Sequence, residues 1–474
     1  MKACGAKQSP ASGLLTFKKG MVMDMRYRKL FGRLTYVRII ALGYLLVIIT
    51  GTLLLLLPGA TRPGCETDLL TALFTATTST CVTGLVVVDT GTHWTALGHC
   101  IILGMIQVGG LGFMTMGMLL AMFLKKRISL RTRGLLQESM NGLQMGGIVR
   151  LVRMVLRNTA WIELIGAALL AIRFVPVFGL GKGILYGIFH SVSAFCNAGI
   201  DLMGGYSGEY SSFVSFRGDI LINAVLMALV VVGGIGFFVW DDLRKNRLRF
   251  RRYSLHTKMA LFMTAVLLVG GAVLYFVFEK DNLLAGMGIK DTILASAFSS
   301  VTARTAGFNT IDTGALTGAS KLLTMVLMFI GGSPGSTAGG VKTVTMMVLL
   351  IYVWSNLRAS KGVNIFHRRM DDDVIRKASN VVMISVLMAV SAVIFICYLQ
   401  PSLPVEDVMF EVFSAIGTVG MSTGLTRELG MGSRIVIILL MYCGRIGSMS
   451  FALSFTERKK VAPVQLPVEK IMIG

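Results

Sequence analysis

Runs of apolar residues alternate along the chain with short basic connectors, and the runs come in pairs. Stretches such as Ile39–Leu57 and Met259–Phe278 have the length, roughly 20 residues, that crosses a hydrocarbon core as a helix. In order, the pattern predicts spans at 39–57 and 95–124, at 151–177 and 217–240, at 259–279 and 321–357, and at 379–400 and 432–455. Between the members of each pair lies a shorter, semi-polar dip, near 68–85, 183–200, 290–308 and 404–421, too short to cross. The unit is helix, dip, helix, four times over.

The dips share one local pattern: an apolar stretch, a run of Ser and Thr, a glycine, then turn-prone residues. Phe74-TATTSTCVT-Gly84, Phe189-HSVSAFCNA-Gly199, Ala297-FSSVTARTA-Gly307 and Phe410-EVFSAIGTV-Gly420 align without gaps, with glycines 115, 108 and 113 residues apart. So long a period marks a supersecondary unit repeated as a bundle rather than a solenoid. The predicted organisation is a cytoplasmic segment 1–38, repeat one at 39–124, repeat two with its preceding loop at 125–240, repeat three at 241–357, repeat four at 358–455 and a cytoplasmic tail 456–474. The fold class is an all-α polytopic membrane protein of four M1–P-loop–M2 repeats. It has eight transmembrane helices plus four re-entrant pore helices, in pseudo-fourfold symmetry around one pore.

Composition agrees with this class. Of 474 residues, 54% are hydrophobic and 15% charged, and the mean hydropathy of +0.72 lies outside the range of soluble domains. The formal charge of +22 is spread over short connectors rather than one polar domain, so nucleic acid is not an expected partner. Basic clusters at Lys18–Arg38, Lys125–Arg133, Arg244–Lys258, Arg358–Lys377 and Arg458–Lys460 are cytoplasmic by the positive-inside rule. Connectors carrying Glu66, Asp68, Asp89, Glu279, Asp281, Glu406 and Asp407 then face outward, and the expected location is the cytoplasmic membrane with both termini on its cytoplasmic side. The first apolar run, about 19 residues with no small-residue cleavage site, reads as a retained span. Seven cysteines and five histidines show no metal or CxxC spacing.

Irregular backbone at membrane depth needs protein or water around it, because hydrocarbon cannot satisfy free N–H and C=O groups. Four such loops must therefore share a cavity. A ring of backbone carbonyls replaces the hydration shell of a cation without a fixed negative charge, and glycine leaves the lumen clear of side chains. The short helices preceding the glycines point the negative ends of their dipoles at the centre. The candidate filter is Thr80, Cys81, Val82, Thr83 and Gly84; Cys196, Asn197, Ala198 and Gly199; Arg304, Thr305, Ala306 and Gly307; and Gly417, Thr418, Val419 and Gly420. Carbonyls of Val82, Thr83, Asn197, Ala198, Thr305, Ala306, Thr418 and Val419 are the expected ion ligands, with the hydroxyls of Thr80, Thr83, Ser193, Thr302, Thr305, Ser414 and Thr418 behind them or adding oxygens. Within these segments only Glu411 is acidic.

The segments TSTCVTGLVVVDT (78–90), FHSVSAFCNAG (189–199), SSVTARTAGFNT (299–310) and FSAIGTVGMSTGL (413–425) resemble the four filter segments of the Trk/Ktr/HKT superfamily, over nearly the whole chain. Eight spans without a leading helix pair resemble its Ktr-type membrane subunit. In that family glycine in all four loops goes with potassium, and serine in the first goes with sodium. The resemblance also implies a separate cytoplasmic ring of nucleotide-binding subunits of the RCK/KTN type, carrying ATP or ADP, docked on loops 125–150, 241–258 and 358–377. No cofactor is expected in this chain, and a homodimer in membrane lipid is.

The second helix of repeat three is interrupted by Gly331, Gly332, Ser333, Pro334, Gly335, Ser336, Thr337, Ala338, Gly339 and Gly340, too rich in breakers to be a kink at one proline. It resembles the family's intramembrane gating loop. A phosphate-loop reading fails because Val341 stands where lysine must follow the glycine. Arg445 in the last span is a functional residue by default; at the matching family position an arginine lies below the filter, although Ser448 stands where proline is common. Lys342 is expected to snorkel to the cytoplasmic interface, with tuning of the gate as the alternative. Arg304 is expected behind its loop, paired with a carbonyl or acid. A cation-coupled secondary transporter would need midplane carboxylates and inverted repeats; the repeats here are parallel, and Glu163 is the main intramembrane acid. No nucleophile and base constellation supports an enzyme.

Overall fold

The computed structural model describes residues 35–112, 115, 134, 137, 148–247, 249–359, 362–366 and 368–447. The expected tail 456–474, Ser448, the greater part of 1–38 and most of loop 125–150 lie outside them. The chain folds as four helical repeats. Repeat one contains α1 (Tyr36–Leu55), α2 (Leu69–Cys81) and α3 (Ala96–Leu111); repeat two contains α4 (Ile148–Phe178), α5 (Leu180–Phe195), α6 (Ile220–Ile235) and α7 (Phe237–Asn246). Repeat three contains α8 (Leu255–Glu279), α9 (Ile289–Thr302), α10 (Gly318–Phe329) and α11 (Thr343–Leu357), and repeat four α12 (Asp372–Leu399), α13 (Val405–Gly417) and α14 (Met431–Ile446).

Side-chain caps start many of these helices. Asp68 accepts from the Thr71 amide at α2, Thr95 from Gly98 at α3, Asp219 from Leu221 and Ile222 at α6, and Thr317 from Ser320 at α10. Each satisfies donors that a helix start leaves orphaned. The first helix of every repeat, α1, α4, α8 and α12, is long and apolar enough to cross a membrane, and much of its apolar surface faces outward, as lipid contact requires.

The second helices differ from the expected continuous spans at 95–124, 217–240, 321–357 and 432–455. Helix α3 stops at Gly112 (φ 83°) and α14 at Gly447 (φ 96°), while α6 stops at Gly236 (φ 105°) and the chain turns by 92° into α7. In repeat three α10 ends at Phe329 and α11 resumes only at Thr343. Glycine in the left-handed region ends a helix without the Cβ penalty. The sequences GGLG (109–112), GGIG (233–236) and GRIG (444–447) carried that signal, and the hydropathy pattern ran over it.

Within each repeat the first helix packs on the short helix after it: α1 on α2, α4 on α5, α8 on α9 and α12 on α13. Between repeats, α3 packs on α5, α6 on α9, α10 on α13, and α14 on α2. Each repeat's second helix thus braces the next repeat's short helix, and the last braces the first. That closes the four units into a ring with one short helix per quadrant.

Candidate functional site

The four glycine loops meet at the centre of this ring. The residue two before each glycine and the glycine itself are both left-handed: Val82 and Gly84 (φ 55° and 98°), Asn197 and Gly199 (59° and 64°), Thr305 and Gly307 (73° and 83°), Thr418 and Gly420 (50° and 92°). Such angles are uncommon for Val and Thr and persist only where surrounding structure enforces them. A Cβ on Gly84 would lie 2.5 Å from the Ala198 carbonyl oxygen, one on Gly199 2.5 Å from that of Ala306, one on Gly307 2.5 Å from that of Val419, and one on Gly420 would strike that of Thr83. Each glycine abuts the carbonyl that precedes the next loop's glycine, and the fourth abuts the first. The geometry leaves no room for a side chain in any quadrant.

Backbone and hydroxyl bonds hold the loops to their helices. Thr83 and Gly84 amides donate to the Thr78 carbonyl and hydroxyl (2.9 and 3.0 Å), and Val419 and Gly420 amides donate to the same groups of Ser414 (2.9 and 3.1 Å). Ser193 accepts from the Ala198 amide at 2.8 Å and donates its hydroxyl to Ile200 at 2.7 Å. The third loop is shifted by one residue. Thr302 accepts from Ala306 at 2.9 Å and donates to Phe308 at 2.6 Å. Thr78 was not among the expected hydroxyls, although it aligns with Ser193 and Ser414. Of the expected ones, Thr305 pairs with the Asn197 amide at 3.1 Å, whereas those of Thr80, Thr83 and Thr418 are buried without a protein partner.

On one face of the ring opens a cavity of about 400 Å³, lined by all four glycines together with Asp89, Asp201, Glu209, Asp312 and Arg427. Asp89 caps the turn Thr90–His93 through the Thr92 amide at 2.8 Å and also accepts from the Tyr210 amide at 3.1 Å. Enclosure in the cavity wall, and less strongly the nearby Asp89 charge, raises the Asp201 carboxyl to about 6, against the pull of its bond from the Met203 amide. Asp201 therefore carries its charge above about pH 6 and loses it below. A cation held in this cavity is expected to bind more weakly as the pH there drops through that value, and Asp201→Asn to flatten the fall; cation binding measured across pH 5 to 8 checks this, a titration window set by the raised carboxyl.

On the opposite face lies the segment between α10 and α11. It is closed at its base by Gly331 N–H to Val341 O (2.8 Å) and Thr343 N–H to Gly332 O (3.1 Å). It also reaches into repeat two: Ser333 N–H donates to Gly234 O at 2.9 Å, Phe237 N–H to Gly335 O at 2.7 Å, and the Thr337 hydroxyl to Phe195 O at 3.0 Å. Gly339 and Gly340 pack against Thr418 and Gly417. The irregular backbone is thus supplied with partners, as membrane depth demands.

Three cations hold this segment. Arg445 donates to the carbonyls of Thr337 and Gly109, and to that of Gly110 at 2.9 Å, tying the segment to the end of α3. Arg304 reaches back from the third loop to the Gly331 carbonyl at 3.3 Å. Lys342 does not snorkel to the interface as expected. Its ammonium turns back to the Ala338 and Gly339 carbonyls (2.6 and 3.3 Å), because the irregular loop offers it charge-assisted bonds within reach. Among the described residues no cluster of His, Cys, Asp or Glu is arranged to hold a metal ion.

Residues 43–462 match the family model described as TrkH, cation transport protein. The chain is 39% identical to the potassium/sodium uptake protein NtpJ of Enterococcus hirae, over 96% of this chain and 100% of that one. It is 41% identical to the Ktr system potassium uptake protein B of Bacillus subtilis, over 93% of this chain and 97% of that one. The crystal structure of the potassium transporter TrkH from Vibrio parahaemolyticus shares the fold, with a TM-score of 0.69 at 16% identity over 89% of this chain and 84% of that one.

Proposed function

The chain belongs to the TrkH cation transport protein family, and from that premise we propose that it takes up potassium across the cytoplasmic membrane through the ring of Gly84, Gly199, Gly307 and Gly420. The observation that carries the reading is the contact of each glycine with the next loop's carbonyl, closed from the fourth loop to the first. Carbonyls so gathered replace water around a cation, and the cavity of Asp89, Asp201, Glu209 and Asp312 concentrates cations at one entrance. That entrance faces outward, since the basic connectors 241–258 and 358–377 lie at the other ends of the spans and belong inside. Both termini are then cytoplasmic.

The segment 331–340 is the gate. Its position on the inner face of the ring, with Arg445, Arg304 and Lys342 bonded to its carbonyls, supports control of passage rather than choice of ion. The name of the Bacillus subtilis relative speaks of a system, and by analogy the chain works as a homodimer on a cytoplasmic nucleotide-binding ring, which carries ATP or ADP and docks on the basic inner loops. A coupled secondary transporter is the less favoured reading. Glu163, the acid such a mechanism would use, sits behind the second loop, bonded to Gln107 at 3.1 Å and facing Cys196, outside the ring. Purified chain in liposomes, assayed for potassium and sodium flux with and without the partner ring, tests the proposal. Passive flux favouring potassium is expected; flux that is absent, or that requires an opposing sodium or proton gradient, overturns it.

A further inference from the structure

Two buried titratable residues occupy the same register on diagonally opposed short helices, and neither is accounted for by the carbonyl ring. Nine residues before the glycine stand Thr75, His190, Phe298 and Glu411 in loops one to four. Glu411 is 1% exposed and His190 fully buried. The Glu411 carboxylate accepts from the Ser422 hydroxyl and, at 2.6 Å, from that of Thr426, with the Thr423 amide also turned toward it. Ser422, Thr423 and Thr426 form the cavity wall just beyond Gly420.

His190 does the equivalent for the second loop. Its Nε2 accepts from the Leu202 amide at 3.1 Å, and its Nδ1 lies 2.7 Å from the Tyr186 carbonyl. An acceptor at Nε2 and a carbonyl at Nδ1 fix one neutral tautomer, with the proton on Nδ1. The rings of Phe174, Phe189 and Phe213 enclose it. Leu202 and Thr423 both stand three residues after their glycines. In the other two quadrants Phe298 has no polar side-chain atom, and among the described hydrogen bonds Thr75 makes none to the segment after Gly84.

We propose that Glu411 and His190 are positioning residues for ion discrimination: each pins, from behind, the segment that follows its glycine, and together they set the spacing of two opposed loops at the outer end of the ring. The inference rests on the reading of that ring as the ion-selecting element. Its physical basis is local. The carbonyls of a left-handed loop are placed by whatever holds the chain on both sides of the glycine. Ser193 and Ser414 hold the near side, and the Ser193 and Thr302 hydroxyls reach the residue just past the glycine; among the described residues only loops two and four have a buried acceptor on their short helix that holds the chain farther on.

Full-length protein in liposomes, normalised to folded protein, tests this through the ratio of potassium to sodium flux. Glu411→Ala removes the carboxylate to which two hydroxyls donate, and His190→Leu leaves an amide unpaired; each is expected to lower the ratio about tenfold, the scale of an unsatisfied buried donor. Glu411→Gln and His190→Gln keep an acceptor in place and are expected to stay near the wild-type ratio. If Glu411→Ala fails to fold, Thr426→Val removes a donor from the other side and should give the same fall. Unchanged ratios in the Ala and Leu variants, with only yield reduced, overturn the inference, as does a Gln variant as poor as Ala. Wild-type protein with no potassium preference instead removes the underlying reading, and the inference with it.

Discussion

Gly84→Ser is expected to lower the potassium-over-sodium preference about tenfold while total cation flux persists, since displacing one carbonyl from the ring needs only about 1.4 kcal/mol of differential binding. Two independent effects act on the variant. Its Cβ would lie 2.5 Å from the Ala198 carbonyl oxygen and 3.2 Å from the Cα atoms of Gly199 and Gly420, so backbone must yield. In addition, φ of 98° disfavours any L-residue by roughly 1–2 kcal/mol. Loops one and two then separate, and a ring fitted to the larger ion loses its advantage over the smaller one. Paired potassium and sodium flux measurements check the prediction, and a variant with wild-type selectivity would sink the assignment of Gly84 to the selecting ring. Alanine at Gly199 or Gly307 meets the same kind of carbonyl contact, so all quadrants should respond in the same direction.

The second large effect concerns rate. Deleting residues 333–338 removes the Thr337 hydroxyl bond to Phe195, the Ser333 amide bond to Gly234 and the carbonyl that Arg445 grasps. At about 1 kcal/mol for each net hydrogen bond, loss of several from the closed arrangement shifts a two-state gate by tenfold or more. Potassium flux is expected to rise by that order with the selectivity ratio unchanged, because the deleted residues contribute nothing to the glycine contacts. Arg445→Gln is the gentler form of the test, cutting the tie between Thr337 and the carbonyls of Gly109 and Gly110 while leaving the loop whole. If both variants conduct like the wild type, segment 331–340 is a structural strut and not a gate.

Much of this arrangement was legible beforehand because it is written in local terms. Four apolar pairs of membrane length, four Ser/Thr-rich dips and four glycines at one register are properties of short windows, and repetition made each window evidence for the others. The break at 331–340 was equally visible, since no helix tolerates that density of Gly, Ser and Pro. Other local signals went unread. GGLG, GGIG and GRIG mark the ends of α3, α6 and α14, but a hydropathy window averages over a single glycine. Thr78 aligns with Ser193 and Ser414, but in its short helix it stands among Thr77, Ser79 and Thr80, and composition alone does not single out one hydroxyl of that run.

The sequence by itself determined the number of repeats, the helical class and the four matched glycines where the backbone must come close, because these follow from apolar run length, the period and the absence of a Cβ; the left-handed turns at Val82, Asn197, Thr305 and Thr418 did not show in it. Only the tertiary structure decided what those positions face. Gly84 meets Ala198, Arg445 meets a carbonyl 336 residues away, and Glu411 meets the segment beyond its own glycine; nothing in a local window fixes such partners. Lys342 is the plainest case. A long cationic side chain near a helix start can reach for the interface or for nearby carbonyls, and the fold put the Ala338 carbonyl within 2.6 Å.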